Sequence, residues 1–138
     1  MSERERGQIT VMVVGFFIVI GLLAVVVINA SAAFLQRQEL NNVADGAALA
    51  AADGLGHESV YRNGIDADAP IDPRLARELV VRYLADTGNV VAAWQVTTED
   101  GKIRVHLERQ IDLAITPPGW QARTRVTSDA SALLRIAD

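Results

Sequence analysis

An α+β fold hung on a long N-terminal transmembrane helix is predicted by three observations. A long apolar run lies near the start, an alanine-rich stretch continues it, and a capped helical segment precedes alternating runs joined by Asp100-Gly101. The apolar run comes first in the chain. From Gly7 to Gln36 there is no charged residue, and only Thr10, Asn29 and Ser31 stand out as polar among Val, Ile, Leu and Phe from Ile9 to Ala33. As helix those residues, about 25 at 1.5 Å rise each, exceed the roughly 20 that a 30 Å hydrocarbon core requires. The run therefore predicts a single membrane span. Ala30-Ser31-Ala32 imitates a signal-peptidase site and Arg4 and Arg6 imitate a basic leader. However, the apolar stretch is nearly double the 7 to 15 residues of a signal peptide's apolar region. Arg4 and Arg6 precede the span and only Arg37 follows it closely, which predicts a cytoplasmic N-terminus and an extracytoplasmic C-terminal part.

The next stretch, Asn41-Asn42-Val43-Ala44-Asp45-Gly46-Ala47-Ala48-Leu49-Ala50-Ala51-Ala52, has Leu40, Val43, Ala44, Ala47, Ala48 and Ala51 at spacings of three and four. With alanine's high helix propensity this predicts that span and stretch form one helix of roughly 45 residues. Gly54 and Gly56 are expected to end it. Its small side chains suit close helix approach: Ala44, Ala48 and Ala52 are spaced by four, as are Gly46 and Ala50. The face is predicted to pack on copies of itself or of a relative, the alternative being the chain's own C-terminal domain. Gly15 and Gly21, spaced by six, form no such motif.

Asp72 before Pro73 marks a helix start, and Leu75, Leu79, Val80, Tyr83 and Leu84 line one face of a helix ending near Gly88. Glu78 and Arg82 add an i,i+4 pair. Alternation of Val90, Ala92, Trp94 and Val96, then Ile103, Val105, Leu107, Ile111, Leu113 and Ile115, predicts two strands joined by a hairpin at Asp100-Gly101. Arg104, His106, Glu108, Gln110 and Asp112 occupy the opposite face of the second, Thr116-Pro117-Pro118-Gly119 ends it, and Arg123 to Ile136 reads as a third strand. The expected module is one helix across a three-stranded antiparallel sheet. The chain thus divides into 1–7, a short cytoplasmic N-terminus; 8–53, the membrane and alanine-rich helix; 54–72, a loop; and 73–138, a small exported α+β domain.

Composition and chemistry exclude more than they assign. The chain has a net charge of −4, no cysteine, and scattered arginines, with Lys102 its one lysine, so no basic stripe points to nucleic acid. His57 and His106 have no metal-ligand spacing, and Ser59, Ser128 and Ser131 lack a nucleophile elbow. Asp66, Asp68 and Asp72 alternate as calcium ligands can, without the glycine and bidentate glutamate of a calcium loop. No enzyme, cofactor, metal or small-molecule substrate is expected. Trp120 after Pro117-Pro118-Gly119 is a candidate contact at a loop tip, or a side chain folded over the sheet edge.

The order of Arg6-Gly7, an uncharged span and Gln36-Arg37-Gln38-Glu39-Leu40-Asn41-Asn42-Val43-Ala44-Asp45-Gly46-Ala47-Ala48-Leu49-Ala50-Ala51-Ala52 resembles the N-terminal segment of TadE/TadG-like proteins of the Tad (Flp) pilus system. Leu40, Asn42, Ala44, Asp45, Ala47, Ala48, Leu49 and Ala50 carry the likeness. The resemblance implies a pilin-like subunit or minor pilin of a pilus or secretion apparatus at the cell surface, partnered by the membrane and by other subunits of the system, copies of itself among the candidates. Gly7 stands where processed pilins of the system are cleaved, but Met12 replaces the glutamate expected five residues on. That departure argues for an unprocessed TadG-type member. The alternative function is a membrane-tethered binding module unrelated to pilus assembly.

Overall fold

The computed structural model of the chain describes residues 3–63 and 71–134. Asp66 and Asp68 of the acidic loop, the side chains of Arg4, Arg6 and Ser59, and Ile136 lie outside the described residues. The elements are α1 (Glu3–Asn63), α2 (Pro73–Asp86), β1 (Ala93–Glu99), β2 (Lys102–Asp112) and β3 (Arg123–Leu133).

α1 is a single helix of 61 residues, roughly 90 Å long at 1.5 Å per residue. It changes environment along its length. From Gly7 to Ile28 every side chain is exposed except half-buried Val25, whereas Leu40, Ala44, Ala47, Ala48, Ala51, Ala52 and Leu55 are buried in the hydrophobic core. The helix does not stop at Gly54 and Gly56 as expected. The reason lies in α2: a Cβ on Gly46 would fall on the Tyr83 hydroxyl, and one on Gly54 would come 2.7 Å from Leu79 Cδ1. Gly46 and Gly54 thus admit a second helix, so Gly54 does not terminate the first; an added Cβ at Gly56 would meet nothing within 4 Å, and Leu55 between the last two glycines is buried at 5% exposure. The loop predicted for 54–72 accordingly begins later than expected, after Asn63.

α2 follows the sequence reading. Asp72 Oδ1 accepts a hydrogen bond from the Arg74 backbone N–H at 2.8 Å with Pro73 in the first turn, and Glu78 pairs with Arg82 at 3.0 Å. Ala76, Val80 and Leu84 are its buried residues, and Thr87 closes the C-terminal end before Gly88 at φ 66°.

The sheet is antiparallel, in the order β1-β2-β3. Asp100 and Gly101 both have positive φ, 50° and 70°, between the paired residues Glu99 and Lys102, the backbone that a two-residue primed turn demands. In β2 the inward row is Ile103, Val105, Leu107, Arg109 and Ile111, so an arginine occupies a core-facing position. Val96 opposite Val105, and Ala130 opposite Val105 on the other side, extend the row across the sheet. The second half of α1 packs on β2 and β3 while α2 covers β1 and packs on α1. The helical layer over the sheet is therefore two helices, not one, and half of it comes from the same helix that carries the apolar run.

Two strand boundaries differ from the periodicity. Val90 is 83% exposed and lies outside β1, whose pairing starts at Ala93. β2 ends at Asp112, because after Leu113 N–H donates to Ala122 carbonyl at 2.8 Å the chain turns toward α1.

Candidate functional site

The motif residues from Leu40 to Ala52 divide by face. Leu40, Ala44, Ala47 and Ala48 are at most 1% exposed, and Ala52 is buried with them. Ala50 and Gly46 are half-buried, while Asn42, Asp45 and Leu49 point to solvent. The spacing of 42, 45 and 49 puts these three on one side of the helix. So Ala44, Ala48 and Ala52 meet the chain's own α2 and sheet, and Gly46 meets Tyr83. The small-residue face is occupied within the domain. What remains outward is a strip with one amide, one carboxylate and one leucine, the last 58% exposed.

Asn29 was legible only as a polar interruption of the span, yet it is 6% exposed and makes two hydrogen bonds to one residue far along the chain. Its Nδ2 donates to the Ile115 carbonyl at 2.7 Å and its Oδ1 accepts from the Ile115 N–H at 2.9 Å. An asparagine mimicking a strand neighbour in this way satisfies a backbone that has left the sheet. The signal was present in the sequence: a buried amide must find partners, and one at the end of an apolar run needs them from elsewhere in the fold. The contact holds the segment between β2 and β3 against α1. A groove of about 470 Å³ lies there, lined by Asn29, Ala33, Leu113, Trp120 and Arg123 among others.

Arg109 was also missed, although its odd-numbered position in the alternation of β2 places it inward. Its guanidinium donates to Glu39 Oε1 on α1 and to Asn89 Oδ1 after α2, each at 3.2 Å. It thereby ties all three packed elements together, with its side chain 14% exposed and its Nε unpartnered.

The outward face of the sheet is charged. His106 stands opposite Asp129 and its Nδ1 lies 2.8 Å from the carboxylate; Glu108 bridges His106 and Arg125, and Arg123 pairs with Asp112 at 3.1 Å. The hydrogen bond to Asp129 raises the His106 pKa above 6.5; desolvation opposes it, and the Asp129 charge and Glu108 add to the rise. Apart from His106 and Glu108, which are neighbours along β2, these are cross-strand pairs on a solvated face, which stabilise the sheet. Among the described residues no group of three or more His, Cys, Asp and Glu side chains is arranged to hold a metal. His57 is exposed; Ser128 is 3% exposed with its Oγ unpartnered, and Ser131 is exposed. No nucleophile, base and orienting group come together among them.

α1 contains one segment long and apolar enough to cross a membrane. No curated protein and no solved structure matches the chain significantly. A family model does match, over the part of α1 that runs from the start of the apolar segment to the glycine packed against Leu79: residues 7–54 are similar to the Flp pilus-assembly TadE/G-like family.

Proposed function

We propose that this chain is a pilin-like or accessory subunit of a Tad/Flp pilus or secretion apparatus, held by one membrane span with its N-terminus in the cytoplasm and its C-terminal domain outside. The observation that carries the reading is the coincidence of the family match, residues 7–54, with a helix that passes unbroken from an exposed apolar stem into a domain core. That geometry suits a subunit that associates laterally through its stem while displaying a folded head. Arg4 and Arg6 before the span, against Arg37 alone close after it, support the orientation. Met12, in place of the carboxylate of processed pilins, favours retention in the membrane without cleavage at Gly7.

Association between subunits then falls to surfaces the fold leaves open. One is the exposed span, where Gly15 and Gly21 have nothing within 4 Å of an added Cβ. The other is the outward strip of Asn42, Asp45 and Leu49. The test separates assembly from tethering. In the native host, Leu49→Glu is expected to abolish cross-linking of the full-length protein to other subunits and to reduce pilus or secretion output, with the domain still folded. Ala48→Leu is expected to unfold the domain, because Ala48 is 1% exposed in the core. A membrane-tethered binding module would keep its function both in the Leu49→Glu variant and in a Gly15→Leu, Gly21→Leu variant of the span, and that joint outcome would refute the assembly reading. Intact mass of the membrane-fractionated protein tests processing: a chain retaining Met12 and everything before Gly7 is the expected result.

A further inference from the structure

We infer that the segment between β2 and β3 is an interfacial anchor, which sets Trp120 and its neighbours into the headgroup region of the bilayer that α1 crosses. The inference rests on the membrane span and not on any role in a pilus.

Position along α1 comes first. The main stretch of exposed apolar side chains, Ile9 to Ile28, is about 20 residues, which as helix span about 30 Å and so match one hydrocarbon core, and exposed Phe34 and Leu35 carry the apolar surface about two turns further. Asn29 follows Ile28, and it is the one that hydrogen-bonds both backbone groups of Ile115. The segment is therefore held within the last turns of the apolar stretch, before the first charge that follows it, Arg37. Ala33, one turn after Asn29, packs against the core cluster, so the domain reaches α1 at this level.

Composition comes second. Residues 113–122 contain no charge, and the charges at either end, Asp112 and Arg123, pair with each other at 3.1 Å. Trp120 is 49% exposed and Ile115 38%. The opposite end of the sheet differs: around its hairpin are Glu99, Asp100, Lys102 and Arg104. The domain thus presents an uncharged, tryptophan-bearing edge beside the span and a charged one away from it. Tryptophan concentrates at headgroup level because an indole combines an apolar body with an N–H donor.

Rigidity comes third. Trp120 N–H donates to the Pro117 carbonyl at 3.1 Å, Gly119 takes φ 88°, and the Leu113 to Ala122 hydrogen bond closes the base. The indole is presented on a turn held at both ends, so ordering it at the interface costs little further conformational entropy. The groove between this turn and Ala33 opens at the same level, where lipid headgroups can enter.

The test uses full-length protein in vesicles of phosphatidylcholine and phosphatidylglycerol, with spin-labelled lipids carrying the label either near the headgroup or near the chain end. The tryptophans are Trp94 and Trp120, and Trp94 stands opposite Leu107 and lies on β1, the strand that packs on α2. In Trp94→Phe the remaining Trp120 should be quenched most by the shallow label, with blue-shifted emission and loss of aqueous acrylamide quenching. In Trp120→Phe the remaining Trp94 should escape lipid quenching. If Trp94→Phe does not fold, the difference between wild type and Trp120→Phe carries the same reading. Trp120 that is unquenched by lipid, whether it stays open to acrylamide or is shielded by another protein molecule, would overturn the anchor while alkaline carbonate extraction still reports an inserted span. A chain released by carbonate would overturn the span and the anchor together.

Discussion

At the scale of single residues, the fold depends on positions where one side chain decides how closely two elements approach. Gly46 is such a position. An added methyl group would meet Tyr83 at its hydroxyl and ring, and overpacking of this kind costs about 1–3 kcal/mol, against about 1 kcal/mol of helix propensity gained by replacing glycine with alanine. Gly46→Ala should therefore lower stability by roughly 1 kcal/mol, and Tyr83→Leu in the same chain should recover most of it; chemical denaturation of the two variants in detergent checks both. His106 sets a pH dependence with a definite sign. Its folded pKa is raised above 6.5, chiefly by the hydrogen bond to Asp129, so the protonated form is the one folding favours. The stabilisation is complete below the unfolded value and is lost as pH rises through the folded one. Wild type should melt above His106→Gln at acidic pH, and the two should converge in alkaline solution. Convergence at acidic pH instead would remove the pair from the account.

At the scale of elements, what the sequence made legible depended on whether a local rule was also the final arbiter. The hairpin and α2 were legible because their determinants lie within a few residues: positive φ at Asp100 and Gly101, and the Asp72 cap with Pro73. The end of α1 was not, because a glycine read locally is a helix stop, whereas Gly54 is placed against Leu79 of another helix. Tertiary context overrode propensity there. The same holds for β2, whose alternation continues through Leu113 and Ile115 although the strand stops at Asp112, since Asn29 captures Ile115 from α1 across 86 residues of sequence. The candidate site was partly legible too. Leu40 to Ala52 was found as a motif, but which of its residues face inward followed only from where α2 and the sheet sit. Asn29→Leu should expose how much the captured segment depends on that contact. It leaves the Ile115 N–H and carbonyl without partners, a loss of about 1–3 kcal/mol if they stay buried. The segment should instead open locally, with faster amide exchange at Ile115 and new protease cleavage between 113 and 122, while exchange in the centre of β2 stays unchanged.

At the scale of the whole molecule, one helix serves two solvents, and this decides where the chain can be cut. Read from sequence, residues 73–138 form a domain of their own; in the structure their core is incomplete without α1. Leu40, Val43 and Leu55 of α1 are buried in it together with Ala44, Ala47, Ala48, Ala51 and Ala52. Burial of each of the three larger side chains stabilises by about 1.5–3 kcal/mol, so their sum is comparable to the whole 5–15 kcal/mol stability of an ordinary domain. Without α1, Val105, Leu107 and Val126 would also face water from the inner side of the sheet, and Arg109 would lose Glu39. A fragment of residues 73–138 should consequently show no cooperative thermal transition and should aggregate. A fragment starting at Asn29 retains every buried residue of the core cluster and the Ile115 contact, while losing the exposed apolar side chains of 9–28. It should be soluble and melt as one cooperative unit, monitored by near-ultraviolet circular dichroism of its tryptophans. Moving the start from Asn29 to Asn42 removes Ala33, Glu39 and Leu40 but spares the rest of the alanine face, so the transition should persist at a lower temperature. Cooperative folding of 73–138 alone would mean that the alanine-rich helix adds nothing essential to the core, and its buried face would again be available for association between subunits.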